Sequence, residues 1–233
     1  MIDGKPFAMF FNGSPRKGWN TDRMLQSAQA GAEEIGAATE LVHLYDIDYK
    51  GCKSCFACKV KNSRTNGVCA IRDGLRPILQ RARQADVLVI GSPVYYNQPT
   101  GMVRSFIERL AFPVGTYLWK DGRQVVLRDK VIETAMIYTM NCPVDWLERF
   151  NYPLFLEDTA NTMKAIFGEC ETLLSCNTYQ FKDYSRYDFN LFTEEEKRAH
   201  RDRQFPVDLR NARELGKRLV ERAIGKTTTS NNL

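Results

Sequence analysis

The sequence has no apolar run long enough to cross a membrane, almost no histidine, and no strong excess of either charge, and each lack removes a class of function. Unbroken apolar stretches such as Val87 to Ile90 fall far short of the ~20 residues that a spanning helix needs. The first twelve residues hold one lysine and a five-residue apolar patch without a small-residue cleavage site, so they do not read as a signal peptide. The expected location is therefore the cytoplasm, with no membrane partner. The two histidines, His43 and His200, stand apart, and no Ser-His-Asp, H-E-x-x-H or paired-carboxylate arrangement can be assembled, so no catalytic acid or base is expected. Lys and Arg number 33 against 28 Asp and Glu, a net charge of +5 dispersed along the chain, which is too weak for a nucleic-acid footprint. Lys50 to Lys61 and Lys197 to Arg203 are locally basic; a solvated face explains both, and an anionic dinucleotide would suit them too.

What is there is a globular composition: 233 residues, 43% hydrophobic and 26% charged. A chain of this length buries roughly 70% of its unfolded surface, so it needs no metal merely to hold a core. Phe7 to Phe11 reads as a strand, broken by Asn12-Gly13-Ser14-Pro15 and followed by a helix through Met24, Leu25, Ala28, Ala32 and Ile35. Thr39 to Leu44 is a second strand. Asp73 reads as the cap of a helix whose apolar face is Leu75, Ile78, Leu79 and Ala82. Asp86 to Gly91 is a buried strand, and Met102, Phe106, Ile107 and Leu110 mark the next helix. Val131 to Thr139 and Glu169 to Asn177 are the fourth and fifth strands, with a helical stretch interrupted by Pro153 between them and an amphipathic helix over Val207 to Ile224 at the end. Strands alternating with helices predict an α/β fold, a doubly wound five-stranded parallel sheet in the order 2-1-3-4-5 with helices on both faces. One domain over residues 1–225 is expected, with long insertions at 45–72, 112–130 and 178–206 and a disordered tail at 226–233.

Two loops carry the candidate chemistry. Asn12 to Thr21 lies between the first strand and first helix, where helix N–H groups stand beside Ser14, Arg16, Asn20 and Thr21, a phosphate cradle. Gly13 and Gly18 have Walker A spacing, but Trp19-Asn20 replaces Lys-Ser/Thr, and no G-x-G-x-x-G occurs, so neither nucleotide hydrolysis nor a Rossmann dinucleotide site is expected. Gly91 to Asn97 follows the third strand, across the crevice where the strand order reverses. Pro93 stiffens this loop, the backbone of Val94 to Asn97 can meet a heteroaromatic edge, and Tyr95 or Tyr96 can stack on it.

Gly13-Ser14-Pro15-Arg16 with Asn20-Thr21, then Gly91-Ser92-Pro93-Val94-Tyr95-Tyr96 leading to Thr100-Gly101-Met102 and Phe106, resembles the NAD(P)H-dependent FMN reductase family in its iron-sulfur flavoprotein branch. The resemblance covers about the first 110 residues. It implies a flavodoxin-like fold and non-covalently bound FMN, with the phosphate on Ser14, Arg16, Gly18, Asn20 and Thr21. The isoalloxazine would lie along Pro93, Val94, Tyr95, Tyr96 and Asn97, with a third contact from Thr139 to Asn141. It further implies NAD(P)H as co-substrate, a small-molecule or protein acceptor, and a homodimer or homotetramer. The rival readings are an electron carrier that uses FMN with a cluster and has no nicotinamide activity, and a scaffold with a zinc-bound loop.

Seven cysteines, an odd number, do not suggest a disulfide framework. Cys52, Cys55, Cys58 and Cys69 are spaced x2, x2 and x10. The first three resemble a ferredoxin-type run, while the fourth is farther off than the branch usually keeps it. A four-iron four-sulfur cluster, a zinc site and free thiols remain three open readings, and Lys50, Lys53, Lys59 and Lys61 would offset the charge of a thiolate-ligated cluster. Cys170 and Cys176 share a strand face by parity and are expected in the core. The segment 178–206 carries Tyr179, Phe181, Tyr184, Tyr187, Phe189 and Phe192. So much aromatic surface is expected to pack on its own domain or to embrace a second subunit.

Overall fold

In the computed structural model, which describes residues 4–230, β1 (Phe7–Asn12) is buried at every position and pairs in parallel with β2 (Ala38–His43) and β3 (Val87–Tyr95). Side chains alternate across a strand, so β1 serves two cores. Phe7, Met9 and Phe11 face one and Ala8 and Phe10 the other. β3 divides in the same way, with Leu88 and Ile90 opposite Val87 and Val89, and so does β7 (Glu133–Thr139), with Met136 and Tyr138 opposite Ala135 and Ile137. Strands this apolar on both faces form only where helices cover both. The sheet closes with β8 (Cys170–Ser175), and the order β2-β1-β3-β7-β8 is the expected flavodoxin-like one. Between β3 and β7 the chain adds β4 (Gln98–Pro99), antiparallel to the end of β3, and a separate hairpin of β5 (Gly115–Lys120) and β6 (Arg123–Val126).

The first core packs beneath α2 (Arg76–Gln84), α3 (Gly101–Ala111) and α4 (Tyr152–Phe167). The second packs beneath α1 (Asn20–Glu34) and α5 (Glu194–Ser230). A large side chain as fully buried as Phe10 or Phe11 contributes about 2–3 kcal/mol. Where α1 and α5 cross, the backbones nearly touch. A Cβ on Gly31 would overlap the Arg213 carbonyl, and one on Gly216 the Ala28 carbonyl, so glycine on both helices sets the distance. Among the described residues no helix is long and apolar enough to cross a membrane.

Several boundaries differ from the sequence expectations. The α2 helix starts after Leu75, not at Asp73. Asp73 instead forms the preceding turn, its Oδ1 accepting from Leu75 N at 3.2 Å, while its carboxylate is held by Arg109. Pro153 does not interrupt α4. It stands in the first turn, where a missing N–H costs nothing. α5 begins thirteen residues before Val207 and contains Pro206. Its start is a capping box, Thr193 Oγ1 accepting from Glu196 N (3.2 Å) and Glu196 Oε2 accepting from Thr193 N (2.8 Å). The insertion 112–130 holds the β5–β6 hairpin, turned by Asp121 and Gly122, both at positive φ. Backbone expected in the tail from 226 is helical through Ser230, and 231–233 lie outside the described residues. Cys170 and Cys176 both pack with the first core, as parity predicts.

Candidate functional site

The parallel register brings the ends of three strands level: Asn12 beside Gly91, and Pro93 beside Thr139. The loop after β1 coils around a buried carboxylate. Asp22, in the first turn of α1 and 2% exposed, accepts from Asn12 Nδ2 (2.8 Å) and from the Gly18 N–H (2.6 Å). Asn12 Oδ1 in turn accepts from Ser14 N (2.8 Å), and Ser14 Oγ from Arg16 N (3.1 Å). Gly13 N donates to Gly91 O (2.8 Å), and Thr100 Oγ1 to Gly13 O (3.0 Å). A Cβ at Gly13 would overlap Val103 Cγ2 and lie 2.9 Å from Gly91 O, so glycine there permits the loop to lie against β3 and α3. The N–H groups that open α1 have no intrahelical acceptor and border the cleft that results.

That cleft is lined from three sides: Ser14, Arg16, Trp19, Asn20 and Thr21 from the first loop, Pro93 to Tyr95 from the second, and Thr139 to Asn141 from the third. Thr178 and Gln180 close it. Thr21 Oγ1 and Thr139 Oγ1 share a hydrogen bond of 2.7 Å across it. Among its described lining residues there is no carboxylate, and Arg16 is the one cation. Arg16 lies over the Trp19 ring at 4.4 Å and donates to Gln180 O (2.6 Å), while Asn20 Nδ2 donates to Tyr179 O (2.9 Å). Both side chains thus clamp the 179–180 backbone over the cradle. Asn141 Oδ1 is buried without a partner among the described residues, an acceptor left for a ligand.

Nine of the twelve residues expected to contact a flavin line this cleft, and Gly18, Tyr96 and Asn97 do not. The Gly18 N–H is turned inward to Asp22. Tyr96 and Asn97, at φ 48° and 64°, form the two-residue turn between β3 and β4. That geometry throws the Tyr96 side chain fully into solvent and sends Asn97 Nδ2 to Phe150 O (3.1 Å). Sequence reasoning missed Asp22 and Lys197. An acid in the first turn after a glycine loop signals the first. Only tertiary structure reveals Lys197, whose buried Nζ donates to Asn141 O (2.9 Å) and Asn177 Oδ1 (2.5 Å) under the Phe192 ring. Burial pushes its pKa down to about 8. Nor is His43 isolated: its Nδ1 lies 3.2 Å from Asn12 Nδ2, beside Asp22.

The four cysteines of 45–72 are free thiols. Among the described residues no group of three or more His, Cys, Asp and Glu side chains is placed to hold a metal. Cys55 is exposed, and Cys58 is buried, which pushes its thiol up. The Cys52 N–H donates to Glu108 Oε2 (3.0 Å), and Cys69 Sγ accepts from Arg109 Nε (3.3 Å). Positive φ at Ser54 and Phe56 reverses the chain between the first three. Lys59 Nζ then draws the segment to the carbonyls of Phe112 and Gly115 just beyond α3. Cys52 and Cys69 both lie near enough to Cys58 to add to its upward push.

The model of one family, described as NADPH-dependent FMN reductase, matches residues 8–138, more than half of the chain. The chain belongs to the NADPH-dependent FMN reductase family. This family segment spans β1 to the end of β7 and so includes most of the cleft. Curated relatives include an iron-sulfur flavoprotein of Archaeoglobus fulgidus, 36% identical over 98 residues (42% of this chain, 45% of that one). Another, from Methanosarcina thermophila, is 31% identical over 98 residues (42% and 49%). The chain spans about half the length of the curated relatives it matches. Among solved structures, an NAD(P)H:quinone oxidoreductase from Methanothermobacter marburgensis has a TM-score of 0.63 at 12% identity, covering 92% of this chain and 97% of that one. An azoreductase from Bacillus anthracis scores 0.65 at 12%, covering 91% and 99%. At this identity both bear on the fold alone, which reaches beyond the family segment to nearly the whole chain.

Proposed function

We propose that the chain is an FMN-dependent oxidoreductase that takes electrons from NAD(P)H and delivers them to a small-molecule or protein acceptor. The observation that carries this reading is the convergence of three strand-end loops on one cleft free of carboxylates. It has a hydroxyl-rich, Arg-bearing end and an apolar, tyrosine-bearing end. The residues suit the cofactor: Ser14, Arg16, Asn20 and Thr21, with the opening N–H groups of α1, would hold the phosphate. Pro93, Val94 and Tyr95 would flank the isoalloxazine, and Asn141 would offer its unpartnered Oδ1 to a ring N–H. Bound FMN supplies the hydride acceptor and the electron outlet. The chain's part is to orient it, to exclude water beneath Thr178 and Gln180, and, through Lys197, to hold the Asn141 backbone still.

The purified protein is expected to be yellow and to oxidise NADPH or NADH. Replacing Ser14 and Arg16 together by alanine removes charge-assisted hydrogen bonds of about 1.5–3 kcal/mol each and should strip the flavin. Full FMN content in that double variant would falsify the phosphate assignment. The names of the curated relatives favour a second reading, FMN with an iron-sulfur cluster in an electron carrier. Among the described residues no group of thiols is placed to hold a metal, and iron analysis after anaerobic purification separates the two.

Self-association through the aromatic segment loses its argument, because those rings pack on one another. Phe181 stacks on Tyr187 at 4.2 Å, and Tyr184 meets Tyr179, Phe181 and Phe189 at 5.1–5.4 Å. A dimer or tetramer remains part of the proposal, with the exposed Tyr117, Leu118 and Trp119 of β5 as the surface to test.

A further inference from the structure

Beside the flavin cleft, and separated from it by Trp19 and Asn20, lies a larger hollow of about 640 Å³ between the β1–α1 loop and the first turns of α5. Lys17, Arg23, Lys182, Arg198 and Arg201 line it, and Glu194 is its one carboxylate. Glu194 is held charged by Tyr179 Oη (2.8 Å) and Arg198 (2.5 Å), whose hydrogen bonds keep its carboxyl below the usual range. Two further carboxylates lie outside the lining, Asp46 on Lys17 (2.5 Å) and Asp202 on Arg201 (2.9 Å). Asp183 also lies near enough to Glu194 to act on it, so five cations face four carboxylates, and Arg23 and Lys182 form no salt bridge among the described residues. Arg23 and Arg201 are braced against rings, Arg23 over Phe205 at 4.9 Å and Arg201 over Tyr179 at 4.6 Å. Stacking fixes a guanidinium while leaving its N–H edge to donate elsewhere.

Like charges gathered around a hollow repel one another unless an anion joins them. The net positive charge, with two cations free of salt bridges among the described residues, suits a phosphomonoester or pyrophosphate better than a polyanion, since the cations ring a cavity and do not form the stripe that nucleic acid needs. The arrangement is also missing from the linear sequence: Arg198 and Arg201 meet Lys17 and Arg23 only because α5 crosses α1. We propose that this hollow is a second anion site, which binds the phosphate or pyrophosphate group of a small molecule while FMN occupies the neighbouring cleft. It rests on the proposed function only in placing FMN next door. The phosphate could come from a reduced dinucleotide or from a separate phosphorylated metabolite.

Titration of the FMN-loaded protein with inorganic pyrophosphate at low ionic strength tests this. Saturable one-to-one binding is expected, weakened at least tenfold in Arg23→Gln/Lys182→Gln and restored in part by Lys182→Arg, with flavin content unchanged throughout. Lys182 is exposed, so Lys182→Gln alone supplies a variant whose folding is not at issue, and it should weaken binding in the same direction. Absence of saturable binding, or equal affinity in wild type and both variants, overturns the site. Loss of FMN in the double variant also overturns it, because the hollow would then be part of the flavin's own phosphate site, an outcome distinct from a failure of the Ser14 and Arg16 assignment. Inhibition of NADPH oxidation by pyrophosphate discriminates the sources: competition with the dinucleotide assigns the phosphates to it, and binding without competition assigns them to another metabolite.

Discussion

The loop after β1 and the segment 45–72 differ in what ties them down. In the first, the ties are short and run from the loop's own backbone to buried groups beneath it: Gly18 to Asp22, Ser14 to Asn12, Gly13 to Gly91. In the second they are long side chains spanning the gap to α3, Lys59 reaching the carbonyls after α3 and Arg109 reaching up to Asp73, Lys50 O and Cys69. Short backbone ties leave Ser14, Arg16, Asn20 and Thr21 on a common cleft, because the loop follows the strand ends. Long side-chain ties fix where the segment sits, and among the described residues they leave no group of three thiols, carboxylates or imidazoles placed to hold a metal. A motif becomes a site when the backbone carrying it is set by the sheet.

The largest expected effect breaks the first region. Asp22→Ala leaves the Gly18 N–H without its acceptor and Asn12 Nδ2 with His43 Nδ1 alone, at about 1–3 kcal/mol for each lost bond, so a stability loss of about 3 kcal/mol and loss of FMN are expected. Equilibrium denaturation and flavin absorbance read the two effects, and retained flavin would mean that the loop holds its shape without the carboxylate. The second perturbs the other region. Arg109→Leu removes the partner of Asp73 and of the Lys50 carbonyl, and with Asp73 about one-fifth exposed a loss of about 2 kcal/mol is expected. Hydrogen exchange should rise over 45–72 while flavin content stays whole; a flavin loss equal to that of Asp22→Ala would erase the distinction between the two regions.

A subtler test concerns pH. The folded chain releases the Lys197 proton near pH 8, whereas a solvated lysine releases it near 10.5. Between these values the unfolded chain binds more protons, so this group makes stability rise with pH, by at most about 1.4 kcal/mol per unit. Cys142 and Glu196 face it and favour its charged form, while buried thiols such as Cys176, pushed up to about 12, act oppositely above pH 9. The informative quantity is therefore the difference between wild type and Lys197→Met from pH 8 to 10, and parallel profiles would remove Lys197 from the account. The smallest effect is expected from Cys52→Ser/Cys55→Ser, neither residue being buried. Stability should change by less than about 0.5 kcal/mol, with flavin content unaltered and less than about one iron per chain in the reconstituted wild type. Four bound irons would show that the segment rearranges around a cluster.

The parallel sheet and the flavin-type loops were legible because local pattern and tertiary role coincide there. Phe7 to Phe11 is apolar at every position since both faces of β1 are covered, and glycine, serine and threonine after it answer the needs of a strand-to-helix turn. Two missed elements had readable signals, the Thr193–Glu196 capping box and the Asp121-Gly122 turn. They went unread because 112–130 and 178–206 were expected to be long insertions without elements of their own. By itself, then, the sequence determined the five parallel strands, the helices covering both faces and most of the cleft's residue types, through periodicity and turn chemistry that act over a few residues, while the strand order followed from the fold these elements resemble. Tertiary structure alone decided that Gly18, Tyr96 and Asn97 turn away from the cleft and that Lys197 stands behind Asn141. It also decided that Cys58 is buried while Cys55 is exposed, and that five cations gather around one hollow. Gly18 turns on Asp22 only four residues on, but Asn97 meets Phe150 53 residues away and Lys197 meets Asn141 56 away, and contacts between residues so far apart leave no periodic trace.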